Sequence, residues 1–104
     1  MLITDDAAFA DNVVQVVDAL LQRLPRAETA GASWRDHGAV ILVDDLVRDA
    51  PALVDAIAPE HVELAVADPE ALLGRIRNAG AIFLGSHTPE AIGDYVAGSN
   101  HVLP

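Results

Sequence analysis

Apolar positions follow two rhythms along this chain. Phe9, Val13, Val16/Val17, Leu20 and Leu24 recur at helical spacing, and Thr4-Asp5-Asp6 places a cap candidate and anions just ahead of them. Pro25 ends that helix. Residues 26–38 carry no comparable stripe and read as a connection containing Trp34. Ala39-Val-Ile-Leu-Val43 is a short β-branched apolar run, the pattern of a buried strand. A second helical stretch runs from Asp44-Asp45 to about Ile57. Pro51 falls inside it, so the helix either begins late, with Asp49 as cap, or contains a break.

Pro59 biases Ala58 away from helix, and Val62 to Val66 alternates as a strand does. Asp68-Pro69-Glu70 is a strong helix start, with Leu72, Leu73 and Ile76 as the stripe and Asn78-Ala-Gly80 as the stop. Arg75 and Arg77 read as solvated charges on that helix. Ala81-Ile-Phe-Leu84 is a further buried strand ending at Gly85. Thr88-Pro89-Glu90 repeats the cap-proline pattern, and its helix ends near Ala97-Gly98. With the apolar Leu2-Ile3-Thr4 at the front, the order is β-α-β-α-β-α-β-α. The predicted fold is a single α/β domain over residues 1–104: a mostly parallel four-stranded sheet with flanking helices, an incomplete Rossmann-like layer.

This topology has a geometric consequence. His61 lies just before the strand that starts at Val62. About eight residues of helix after Pro89 rise about 12 Å, which matches the ~13 Å of a four-residue strand. Asp94 and the Gly98–His101 loop therefore return to the edge that holds His61. That is the amino edge of the strands, whereas open α/β sheets usually bind ligands at the carboxyl edge.

Composition narrows the partners. The 104 residues carry 16 acids and 6 bases, all of them arginine, for a net charge of −10. Such a chain is a poor match for a phosphate backbone, so neither nucleic acid nor an anionic membrane surface is an expected partner. No apolar run approaches a bilayer span and no signal peptide is present, which makes the expected location cytoplasmic. The absence of cysteine removes disulfides, thiolate metal sites and thiol nucleophiles together. The apolar ends, Leu2-Ile3-Thr4 and Val102-Leu103-Pro104, read as those of a piece of a longer protein.

Candidate chemistry is concentrated at two points. Glu60-His61 puts a carboxylate beside an imidazole that can shuttle protons. By spacing alone the plainer alternative, an exposed loop pair after a proline, is favoured, because Glu-His dipeptides are common. Asp94 lies in a last helical turn, where the macrodipole disfavours an anion and a cation would be welcome; alone it reads equally as a solvated frayed end. Asn100-His101 follows Gly98-Ser99 and is read evenly as a ligand-approaching turn or a loop into a last strand. His37 and His87 read as surface residues. No local cluster completes a zinc site.

Together these segments carry a resemblance. Ala-Pro-Glu-His-Val-Glu-Leu (58–64), Asp-Pro-Glu-Ala-Leu-Leu (68–73), Arg-Ile-Arg-Asn-Ala-Gly-Ala-Ile-Phe-Leu-Gly (75–85) and Thr-Pro-Glu-Ala-Ile-Gly-Asp-Tyr-Val-Ala-Gly-Ser-Asn-His-Val-Leu-Pro (88–104) closely resemble histidinol dehydrogenase. The opening Leu-Ile-Thr-Asp-Asp and Gly-Ala-Val-Ile-Leu-Val-Asp-Asp (38–45) are similar to it as well. Ser99, where that family often has proline, and Ser86-His87 depart from the pattern.

The resemblance implies a segment of a longer enzyme that oxidises L-histidinol to L-histidine in two NAD-dependent steps with bound zinc. Glu60 and His61 match its acid/base pair, with His61 also contacting substrate. Asp94 matches a zinc ligand lying against the substrate, and His101 a substrate-side histidine. The other zinc ligands, a Gln and a His upstream and a His downstream, and the NAD-contacting residues fall outside this segment. The family's homodimer implies a second subunit, and the segment alone is expected to be inactive. Two other readings are a related zinc/NAD dehydrogenase of another polar alcohol, such as sulfopropanediol, and a non-catalytic α/β interaction module.

Overall fold

The computed structural model describes residues 1–89. Asp94, His101, the helix expected after Pro89 and the predicted edge they share with His61 lie outside the described residues. The chain divides into two compact units, Met1–Leu46 and Val47–Pro104.

In the first unit, β1 (Leu2–Thr4) pairs in parallel with β2 (Val40–Leu42), with Leu2 opposite Val40 and Thr4 opposite Leu42. The connection runs through α1 (Ala7–Leu21) and α2 (Ala27–His37). The cap is Asp6 and not Thr4, and no acid falls in the first turn: the Asp6 Oδ1 accepts the Phe9 N–H at 2.9 Å. Thr4 is buried and stays in the strand, its Oγ1 accepting from Asp6 N at 3.2 Å. The helical period holds, but the inward face is not the one marked by the largest residues. Ala10 is buried, while Phe9, Val16, Leu20 and Leu24 keep about half their surface exposed (49%, 56%, 50% and 45%). Alanine shows little hydrophobic signal, yet it lets a helix approach a strand closely.

α2 overturns the expected connection over residues 26–38. Its Ala, Gly and Ser positions supply no broad apolar stripe, no side chain caps it at Arg26, and none of its residues is buried. A reading based on hydrophobic period has nothing to detect there. The helix stops at Gly38, where a Cβ would collide with both the Trp34 ring and the Trp34 carbonyl oxygen.

The second unit contains α3 (Leu46–Ile57) from its second residue on, β3 (His61–Leu64), α4 (Pro69–Leu73) and β4 (Ala81–Leu84). α3 starts four residues before the proposed late cap at Asp49 would put it and carries buried Pro51 within its span. Proline has no N–H, so the Val47 carbonyl loses its helical donor. Arg75 Nη1 donates to that oxygen at 2.8 Å. Arg75 is thus not simply a solvated helix charge, and neither it nor Arg77 lies in a helix.

α4 begins as expected, with Asp68 accepting from Ala71 N at 3.2 Å and Pro69 at the first position. It is only 5 residues long and closes at Gly74, short of the expected Ile76 turn. Beyond Gly74 the N–H groups of Arg77 and Asn78 donate to the Asp55 carboxylate instead of continuing a helical ladder. Leu72 is the most buried apolar side chain in the described core, at 2% exposure. Leu72→Ala is expected to lower the unfolding free energy by about 2–5 kcal/mol, the transfer-plus-cavity range, as read from denaturant midpoints at constant slope.

β3 and β4 are parallel, with His61 opposite Ala81 and Leu64 opposite Leu84. The expected α/β architecture with parallel strands and flanking helices is present. The four strands are arranged as two pairs, β1-β2 and β3-β4. Hydrophobic runs locate strands without naming their neighbours. Here each crossover helix selects a pair: α1 packs on β1 and β2, and α4 on β3 and β4. Among the described residues no helix is long and apolar enough to cross a membrane.

Candidate active site

The second unit holds the Glu60-His61 pair, and its approach is tightly specified. α3 ends at Ile57. Ala58 follows in the left-handed region at φ +47°, with its N–H donating to the Val54 carbonyl at 2.8 Å. For alanine that conformation costs about 1–2 kcal/mol. Pro59 cannot extend the helix, and the chain turns out of it into β3.

The β4 side then takes hold. Gly80 N donates to the Pro59 carbonyl at 3.0 Å, and Ala81 N donates to the Glu60 carbonyl at 2.8 Å. The parallel ladder opens at His61 opposite Ala81. His61 lies on the strands' amino edge, as the sequence predicts, but as the first residue of β3 and not just ahead of it. Alternation puts His61, Glu63, Ala81 and Phe83 on one face of the pair. The His61 and Phe83 ring centroids are 5.9 Å apart with planes tilted by 44°. Phe83 is buried at 8% exposure, His61 is half-buried, and Glu60 is exposed. The imidazole thus has an apolar support on one side, while the neighbouring carboxylate is exposed.

At the opposite, carboxyl edge, β4 ends at Gly85 with φ +91°, a conformation that suits glycine. Ser86 Oγ and His87 Nδ1 lie 2.9 Å apart there, both exposed. His37 and His87 are surface residues, as expected. In the first unit a shallow depression lined by Val17, Leu21, Trp34 and His37 contains no carboxylate.

Two residues of this unit escaped the sequence reading. Phe83 is one, since its contact with His61 depends on the strand register. Asp55 is the other. Its Oδ1 accepts from Arg77 N at 2.7 Å and Asn78 N at 2.9 Å. Those two N–H groups, Arg77 first, hold the carboxyl below its ordinary value; partial desolvation opposes them and the Arg77 charge adds to them. The partners lie 22 and 23 positions away in the chain, so no local motif could have signalled them. Among the described residues no three His, Asp or Glu side chains gather to hold a metal ion.

The fold and edge geometry define a parallel α/β protein with an ionisable pair where a strand emerges from a helix-breaking turn. Comparison with known proteins supplies the particular family. The histidinol dehydrogenase family model matches residues 1–104. The chain is 71% identical to histidinol dehydrogenase of Rhodospirillum rubrum and 67% identical to that of Rhizobium meliloti, in each case over 100% of this chain and 24% of the relative. The crystal structure of histidinol dehydrogenase from Elizabethkingia anophelis superimposes with a TM-score of 0.86 at 33% identity, covering 99% of this chain and 23% of that one. The chain belongs to the histidinol dehydrogenase family, and it spans about a quarter of the length of these relatives.

Proposed function

We propose that this chain is the segment of a cytoplasmic, homodimeric histidinol dehydrogenase that carries the acid/base pair for oxidation of L-histidinol to L-histidine. The observation that carries the reading is Glu60-His61 itself. The family's motif falls on the one place where the described fold breaks a helix, strains Ala58 and pins the next two carbonyls to Gly80 and Ala81. Tight backbone placement is what a proton-transfer pair requires, because geometry precedes pKa in general acid–base catalysis.

In the first step His61 takes the substrate hydroxyl proton as hydride leaves the carbinol carbon, giving the aldehyde. In the second, Glu60 takes a proton from water as its oxygen adds to the aldehyde carbon. With that proton held on Glu60, the hydrate anion loses a second hydride to give the carboxylic acid, which releases a proton to water as the carboxylate. When bound, NAD would supply the hydride acceptor and zinc would supply a Lewis acid for the amino alcohol. The described residues do not by themselves form a zinc site. In this proposal Asp94 is the one ligand from this segment, the remaining donors come from elsewhere in the protein, and His101 contacts substrate.

The test is the complete protein assayed with histidinol and NAD. An alcohol-to-carboxylate oxidation removes four electrons, so it should yield two NADH per histidinol. Metal analysis should find zinc that is lost with Asp94→Asn, and the isolated 104-residue chain should show no turnover. Turnover of sulfopropanediol but not histidinol would reject the substrate assignment.

A further inference from the structure

Asp55 lies in the last turn of α3, shortly before the turn that delivers Glu60 and His61. Its Oδ1 receives the N–H groups of Arg77 at 2.7 Å and Asn78 at 2.9 Å. Asn78 Nδ2 returns a bond to the Asp55 carbonyl at 3.2 Å. These bonds fasten the start of the segment 77–81 to α3. The end of the same segment grips the site: Gly80 N holds the Pro59 carbonyl at 3.0 Å and Ala81 N the Glu60 carbonyl at 2.8 Å. Two residues farther on, Phe83 supplies the ring against which His61 rests. The backbone of the pair and the support of the imidazole thus depend on where one short stretch lies, and Asp55 anchors its start.

An anion suits this task. Two N–H groups converge on one oxygen, and hydrogen bonds to an ionised acceptor are about twice as strong as neutral ones. We propose that Asp55 is a positioning residue for Glu60-His61, acting through residues 77–81 to fix the pair at the amino edge of β3. The inference rests on the reading of Glu60-His61 as the acid/base pair. It differs from a purely structural role, in which loss of Asp55 lowers the folded fraction but leaves each folded enzyme equally fast.

The test compares Asp55→Ala, Asp55→Asn and His61→Asn in the full-length enzyme. Turnover is normalised to the folded, zinc-loaded fraction. Asp55→Ala is expected to lower kcat by about 10- to 100-fold, since a misplacement of about 1 Å costs up to 10²-fold, with KM for histidinol changed by less than about threefold. Asp55→Asn keeps an oxygen that can accept both N–H groups, so its kcat should recover to within about threefold of wild type. If Asp55→Ala does not fold, Asp55→Ser, whose shorter side chain cannot span to both N–H groups, is compared with Asp55→Asn in its place.

A wild-type kcat in the Ala or Ser variant, or equal losses in Ala and Asn, would overturn the inference. If His61→Asn is crippled while Asp55→Ala is not, only this inference fails. If His61→Asn retains full turnover, the acid/base reading fails first and this inference falls with it.

Discussion

Replacing His61 by Asn in the full-length enzyme is expected to lower kcat by about 10²- to 10⁴-fold, the usual contribution of a positioned acid/base group. Asparagine retains polarity and much of the volume but cannot relay a proton. The fold should tolerate it. His61 is half-buried at the first position of β3, and the bonds that open the ladder are made by backbone groups of Pro59, Glu60, Gly80 and Ala81. Losing the tilted ring contact with Phe83 removes about 0.5–1.5 kcal/mol at most, too little to unfold a domain but measurable as a lower melting temperature. The loss should therefore appear in kcat, with KM for histidinol little changed. His87→Asn is the matched control. His87 is exposed at the carboxyl edge beyond Gly85, so its replacement should leave turnover unaltered. NADH formation measured on both variants decides the matter. Turnover of the His61 variant above about a tenth of wild type would remove the imidazole from proton transfer.

The parts of this fold that could be read in the sequence are those that depend on neighbours in the chain. Asp68 caps its helix by accepting the N–H three residues ahead, and Ala81–Leu84 announces a strand by its run of apolar residues. α2 was not legible, because small residues form a helix without marking a face. The premature end of α4 was not legible either. Asn78-Ala-Gly80 is a good stop signal, but the actual stop comes earlier, at Gly74, and the Arg77 and Asn78 N–H groups beyond it go to Asp55. Pro51 posed an ambiguity that sequence could not settle. A carbonyl left open by proline is tolerable once Arg75 reaches it, and that rescue comes from 28 residues away.

The candidate site divides in the same way. Glu60 and His61 stand out because Pro59 marks a helix break and the surrounding motif is specific. Their supports, Phe83 and Asp55, become visible only with the β3-β4 register and the folded path of residues 74–80. The residues that do the supporting carry no chemical signature of their own. Phenylalanine in a buried strand and aspartate near a helix end have ordinary explanations until the distances are known.

Glu60→Gln separates the two half-reactions. Glutamine matches glutamate in size, and the Glu60 main-chain carbonyl keeps its bond from Ala81 N, so the turn and the His61 ladder are retained. What disappears is a side chain able to take a proton from water. The first hydride transfer needs a base for the alcohol proton, the role proposed for His61, and should survive within about tenfold. Hydration of the aldehyde should slow by about 10²- to 10⁴-fold. The expected signature is one rapid NADH per histidinol instead of two, followed by a slow phase, with histidinal trapped by a carbonyl reagent. Single-turnover kinetics can resolve it, since they separate chemistry from binding and release. Exposure of Glu60 at the amino edge supports the assignment, for a base that activates water must meet it. If both hydride transfers in the Gln variant proceed at wild-type rates, the water-activating role passes to another group. Equal slowing of both would instead mark Glu60 as a partner that orients His61, since only the imidazole is needed in the first step.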